Sequence, residues 1–81
     1  MERELVIENG VTLEYIVEYI NGEKYIGYWL DGKLHRENGP AFIVYDKMGK
    51  RKIAQHYIND VLQNWLKLIL KNYVQTFKIV L

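Results

Sequence analysis

The sequence predicts an α+β fold. An antiparallel β-meander of about five strands fills residues 1–59, and a C-terminal amphipathic helix and tail fill residues 60–81, in a single domain over 1–81. Three observations carry this reading. Apolar residues alternate with polar ones along most of the chain, the period of a half-buried strand. Asn-Gly and Asp-Gly pairs interrupt the alternation, and they suit two-residue hairpins because both central residues need positive φ. After Asn59-Asp60 the apolar spacing lengthens to that of a helix.

The elements follow in order. Turn pairs fall at Asn9-Gly10, Asn21-Gly22, Asp31-Gly32, Asn38-Gly39, Met48-Gly49 and Asn59-Asp60. Between the first two, Val11, Leu13, Tyr15, Val17 and Tyr19 share one side of a strand; Thr12, Glu14, Ile16, Glu18 and Ile20 share the other, leaving a partly apolar outer face. Tyr25, Gly27 and Trp29 extend the alternation, as do Ala41, Ile43 and Tyr45, then Ile53, Gln55 and Tyr57. Tyr, Ile and Val dominate, and these pack well on a pleated surface. A degenerate repeat runs through the strands. Tyr19-Ile20-Asn21-Gly22, Trp29-Leu30-Asp31-Gly32 and Tyr57-Ile58-Asn59-Asp60 each deliver an aromatic, an aliphatic and a turn. Such units cannot close a core singly and must stack.

Asn59-Asp60 reads as a helix N-cap. Beyond it Val61, Trp65, Ile69, Tyr73, Phe77 and Leu81 form one row with Leu62, Leu66 and Leu70 beside it; Gln63, Asn64, Lys67, Lys71, Gln75 and Lys78 face away. A helix of this length is marginal alone in water. It is therefore expected to lie as a lid on its own sheet, with Trp65, Leu66, Ile69 and Tyr73 as the lid or dimer contacts. Residues 73–81 also alternate, so a final strand is the other reading of that stretch.

The chain has 81 residues and no cysteine, which excludes a disulfide framework and a thiolate zinc site. The start, Met-Glu-Arg-Glu-Leu, lacks the pattern of a signal peptide, and no apolar run approaches the roughly 20 residues of a bilayer span. A cytoplasmic protein is expected. The net charge of +1 conceals a segregation: residues 1–32 sum to −5 and residues 33–81 to +6. Unlike ends can attract within the fold, pair between copies, or offer an acidic face to a basic partner.

The stretch YWLDGKLHRENGPAFIVYDKMGKRKIAQHYIND, residues 28–60, resembles MORN-like repeat proteins of phages, large DNA viruses and low-GC bacteria. The match lies in Trp29 through Pro40, Ala41 through Tyr45, and Gly49, about one repeat. The resemblance implies stacked hairpins and a binding or scaffolding role without catalysis. Where a further repeat would read Gly-Lys-Leu-His-Arg, this chain has Asp60-Val61-Leu62-Gln63-Asn64, which implies a small capped module rather than an array. A Lys-, Ile-, Asn-, Tyr- and Leu-rich composition suits an AT-rich phage or bacterial source. By association, small phage proteins of this kind include inhibitors of host defence, anti-CRISPR proteins among them.

Chemistry finds little purchase. His35, Arg36 and Glu37 invite an acid–base reading, but the chain has neither Ser nor Cys, and Thr12 and Thr76 are its only aliphatic hydroxyls. His35 and His56 with Asp31 or Asp46 lack metal-ligand spacing. No enzyme activity, metal or cofactor is expected. His35 and Arg36 are expected to close a turn and bond loop carbonyls, with Gly39-Pro40 redirecting the chain. The expected work is protein–protein binding, as a phage or mobile-element inhibitor acting by occlusion. Tyr15, Tyr19, Tyr25 and Trp29 would anchor, and Glu14, Glu18 and Glu23 would steer toward a basic, nucleic-acid-binding host protein. Homodimerisation through the helix or an open edge strand is compatible with this. Alternatives are a self-assembling scaffold and a single-stranded nucleic-acid binder, the latter through Lys47, Lys50, Arg51 and Lys52 with Tyr45 and Tyr57. With a net charge near zero and a Lys-rich turn that reads as a solvated tip, nucleic acid is not the expected partner, and no membrane partner is expected, although Trp65 and Leu66 on the Lys-bearing helix would suit an interface.

Overall fold

In a computed structural model, which describes residues 1–63, those residues form an all-β antiparallel sheet of seven strands. These are β1 (Glu2–Glu8), β2 (Val11–Ile20), β3 (Glu23–Leu30), β4 (Lys33–Leu34), β5 (Phe42–Tyr45), β6 (Arg51–Ile58) and β7 (Val61–Gln63). The sheet order is β1-β2-β3-β5-β6-β7, with β4 paired to the far end of β3.

This corrects the expected α+β class of about five strands. Asn59 and Asp60 hold φ of 49° and 68°, the left-handed pair of a type I′ hairpin rather than a helix cap. Val61, Leu62 and Gln63 then pair with Ile58, Tyr57 and His56 as strand β7, where the helix was to begin. Asn and Asp serve equally at caps and in left-handed turns, so the dipeptide alone does not choose. The hydrogen bonds choose. The Asp60 amide donates to the Leu34 carbonyl at 2.9 Å, and its carboxylate accepts the Leu34 amide at 2.7 Å. The remaining lid positions, Trp65, Leu66, Ile69 and Tyr73, lie outside the described residues.

Asn9-Gly10, Asn21-Gly22 and Asp31-Gly32 show the same paired positive φ and close the β1–β2, β2–β3 and β3–β4 hairpins. The β5–β6 turn differs. Asp46 Oδ1 accepts from the Met48 and Lys50 amides, both at 2.9 Å, and Gly49 holds φ 83° in the turn; the register then shifts between Tyr45–Arg51 and Val44–Ile53, which leaves Lys52 as the extra residue on β6. Asn38-Gly39 forms no hairpin. It belongs to the loop between β4 and β5, and that loop exists because one lane beside β3 is shared by two segments. Tyr28 marks the junction: its amide donates to Ala41 at 2.8 Å and its carbonyl accepts from His35 at 2.9 Å.

Register sorts the side chains onto two faces. One carries Leu13, Tyr15, Val17, Tyr19, Ile26, Tyr28, Ile43 and Tyr45, here the tyrosine face. Its core is Val17, Ile26 and Ile43, flanked by Tyr15, Tyr28 and Tyr45. The other carries Glu14, Ile16, Glu18, Ile20, Tyr25, Gly27, Trp29 and Phe42, here the tryptophan face.

Candidate functional site

The tryptophan face holds an open groove of about 180 Å³ lined by Ile16, Glu18, Ile20, Tyr25, Trp29 and Phe42. The β2–β3 ladder builds it by setting Glu14 opposite Trp29, Ile16 opposite Gly27, Glu18 opposite Tyr25 and Ile20 opposite Glu23. Gly27 is bare for a reason. A Cβ there would collide with Trp29 Nε1 and sit 3.1 Å from its Cε2, so the indole lies back along its own strand over the glycine. Tyr25 and Phe42 meet at 6.3 Å between centroids and 42° between planes, forming the next wall. Ile20 is 47% exposed, and on the same face Leu5 and Ile7 of the edge strand β1 are 69% and 74% exposed. Exposed apolar side chains from β1 and β2 thus gather on this face beside the groove.

The acidic rim is partly self-neutralised. Glu23 accepts from Lys52 Nζ at 2.6 Å and from the Tyr25 hydroxyl at 3.1 Å. The Lys52 bond, then the Tyr25 bond, holds the Glu23 carboxyl below its ordinary value. The same contact with Glu23 raises both Lys52 and the Tyr25 phenol. Glu14 lies 3.3 Å from Arg3. Among the described residues Glu18 alone of the three forms no ion pair.

Of the seven residues expected to contact a partner, the structure gathers Glu14, Glu18, Glu23, Tyr25 and Trp29 on the tryptophan face. Tyr15 and Tyr19 project from the opposite face, as odd-numbered neighbours of Ile16 and Ile20 on one strand must. Ile16, Ile20 and Phe42 complete the groove and were not singled out. The signal for the first two was present, since both lie on the outward side of the β2 alternation. Phe42 required the β3–β5 register, which sets it opposite Gly27.

His35 and Arg36 serve the fold. His35 is buried, and its Nδ1 accepts the Asn59 amide at 3.2 Å, so the proton sits on Nε2, which lies 4.0 Å from Glu37. Arg36 clasps Glu8 through two bonds, Nε to Oε1 at 3.1 Å and Nη2 to Oε2 at 3.0 Å. Its Nη1 donates to the Pro40 carbonyl at 3.2 Å, and its guanidinium sits 3.9 Å above the Tyr28 ring. Burial pulls the Arg36 pKa down, but the Glu8 hydrogen bond and nearby Tyr28 outweigh it and the net shift is upward. Burial likewise drives the Tyr28 phenol up against the opposing effect of Arg36. No group of three or more His, Cys, Asp or Glu side chains able to hold a metal occurs among the described residues. No helix among them is long and apolar enough to cross a membrane. Comparison of the chain with family models, curated proteins and solved structures finds no match.

Proposed function

We propose that this chain is a non-enzymatic protein-binding module that acts by covering a partner's surface with its tryptophan face. The observation that carries the reading is the register of β2 against β3, which sets Trp29, Tyr25, Ile16 and Ile20 around one groove with Glu18 at its rim. Large rigid aromatics dominate interface energetics, and a rim carboxylate sets orientation and rate of encounter more than affinity. The partner therefore presents an apolar segment flanked by Lys or Arg. A MORN-like lineage and an inhibitor's role by occlusion accord with stacked hairpins ending in aromatic-aliphatic-Asx turns.

Adjacent residues on one strand supply the test. A photo-crosslinking amino acid at Ile20 reports on the tryptophan face, and the same probe at Tyr19 reports on the other. In extract from the source cells, Ile20 should trap a discrete partner and Glu18→Lys should abolish the adduct. Trapping from Tyr19 alone, or an Ile20 adduct indifferent to Glu18→Lys, refutes the assignment.

A further inference from the structure

The opposite face carries a second pattern that runs across the sheet rather than along a strand. In successive ladders Tyr19 pairs with Lys24, Lys24 with Tyr45, and Tyr45 with Arg51. One row over β2, β3, β5 and β6 thus alternates aromatic, cation, aromatic, cation. Neighbouring strands lie about 4.8 Å apart, which puts the two tyrosines about 10 Å from each other and the two cations likewise. The row stands at the sheet end not covered by β1, whose pairing with β2 stops at Glu2 opposite Val17.

The row opens onto a shallow hollow of about 520 Å³, floored by Ile26 and walled by Tyr15, Tyr19 and Tyr45, with Lys24 and Lys47 at its rim. Tyr19 is 60% exposed. Of the lining side chains Asp46 is the one carboxylate, and its Oδ1 is committed to the Met48 and Lys50 amides. Among the described residues Lys24, Lys47, Lys50 and Arg51 form no ion pair, whereas Lys52, next to Arg51 on β6, is spent on Glu23. The acidic side chains nearest on this face are Glu2 and Glu4 on β1, opposite Val17 and Tyr15, which bound the strip on one side.

We propose that this row is a binding platform for single-stranded nucleic acid. Tyr19 and Tyr45 stack on bases, and Lys24 and Arg51, with Lys47 at the rim, contact the intervening phosphates. Unpaired cations between flat aromatics on an open sheet match the alternation of charge and ring in a single strand. The site lies on the face opposite the proposed protein groove and does not depend on it.

The test is fluorescence anisotropy of the whole chain with a labelled oligo(dT) of roughly ten nucleotides, and with an abasic oligomer of equal length. Binding to oligo(dT) should weaken linearly in log salt, and Lys24→Gln and Arg51→Gln should each make the slope shallower by about 0.7. Tyr19→Ala should weaken binding by roughly 5- to 150-fold, the range for one lost base stack. Ile20→Ala, the neighbour on the other face, should change nothing. Far-UV circular dichroism of each variant shows whether the sheet persists, and exposed Tyr19 and Arg51 are the least structural positions in the row. No binding below roughly 100 μM overturns the proposal. So does equal affinity for the abasic strand, which would reduce the site to a generic polyanion surface, or a Tyr19→Ala variant that binds like the parent.

Discussion

Removing Arg36 tests how this sheet holds its split lane together. In Arg36→Ala the molecule loses two charge-assisted bonds to Glu8, a bond to the Pro40 carbonyl and the stack on Tyr28. The Arg36 and Glu8 side chains are 19% and 20% exposed, so solvent screens the pair only in part. A hydrogen bond to a charged group contributes about 1.5–3 kcal/mol and a partly exposed cation–π contact about 0.5–1 kcal/mol. These terms share one side chain and do not add in full, so the expected loss is about 2–4 kcal/mol. Glu8, left half-buried without its partner, accounts for part of it. Arg36→Lys keeps the charge but not the fork, and should forfeit about half. Urea unfolding followed by circular dichroism and tryptophan fluorescence measures each variant, and an Arg36/Glu8 double-mutant cycle isolates the pair, with an expected coupling of about 1–3 kcal/mol. An Arg36→Ala variant within about 0.5 kcal/mol of the parent, or a coupling near zero, would show the clasp to be a solvated side chain and refute the reasoning.

Three other outcomes follow from particular contacts. Gly27→Ala should displace the Trp29 indole and cost about 1–3 kcal/mol, read as a shifted emission maximum in a Trp65→Phe background where Trp29 alone fluoresces; an unshifted spectrum counts against the indole lying on the glycine. Asp60→Ala removes the acceptor for the Leu34 amide and places a Cβ-bearing residue without a local hydrogen bond at φ 68°, so it should destabilise by about 1.5–3 kcal/mol, while Asp60→Asn should cost less than about 1 kcal/mol; equal losses would mean the carboxylate does not hold the turn. The Glu23 carboxyl is held below its ordinary 4.5, so its contribution to stability is present above pH 4.5 and is lost as pH falls through the lowered value. Lys52 is held above its ordinary 10.5, so its share is present below pH 10.5 and lost as pH rises through the raised value. Urea midpoints of the parent should accordingly fall at the acid end more steeply than those of Glu23→Gln; parallel profiles would rule out the linkage.

Much of the sheet is legible in the residues. The β2 alternation assigns Leu13 and Val17 to one face and Ile16 and Ile20 to the other, and the structure buries the first pair and leaves Ile20 exposed. Asn9-Gly10, Asn21-Gly22 and Asp31-Gly32 become the hairpins their chemistry demands. Asn59-Asp60 does not declare itself, because the same short polar side chains that cap a helix also tolerate the left-handed conformation. The candidate sites are legible only within a strand. Seven partner residues could be grouped by residue type, but parity separates Tyr15 and Tyr19 from the rest, and a list by type ignores parity.

The local rules in this chain, alternation and turn chemistry, act over a few residues, and the sequence by itself therefore determined strands, hairpins and the side of each strand on which a residue stands. Everything that joins one strand to a distant one belonged to the tertiary structure. Arg36 meets Glu8 across 28 positions, β4 and β5 share a lane beside β3, and the Tyr19–Lys24–Tyr45–Arg51 row exists only where three ladders come into register. The Asn59-Asp60 turn went to a hairpin for the same reason: Leu34, far away in sequence, offered its amide and carbonyl to Asp60, and a bond between distant segments outweighed a local preference that was evenly divided.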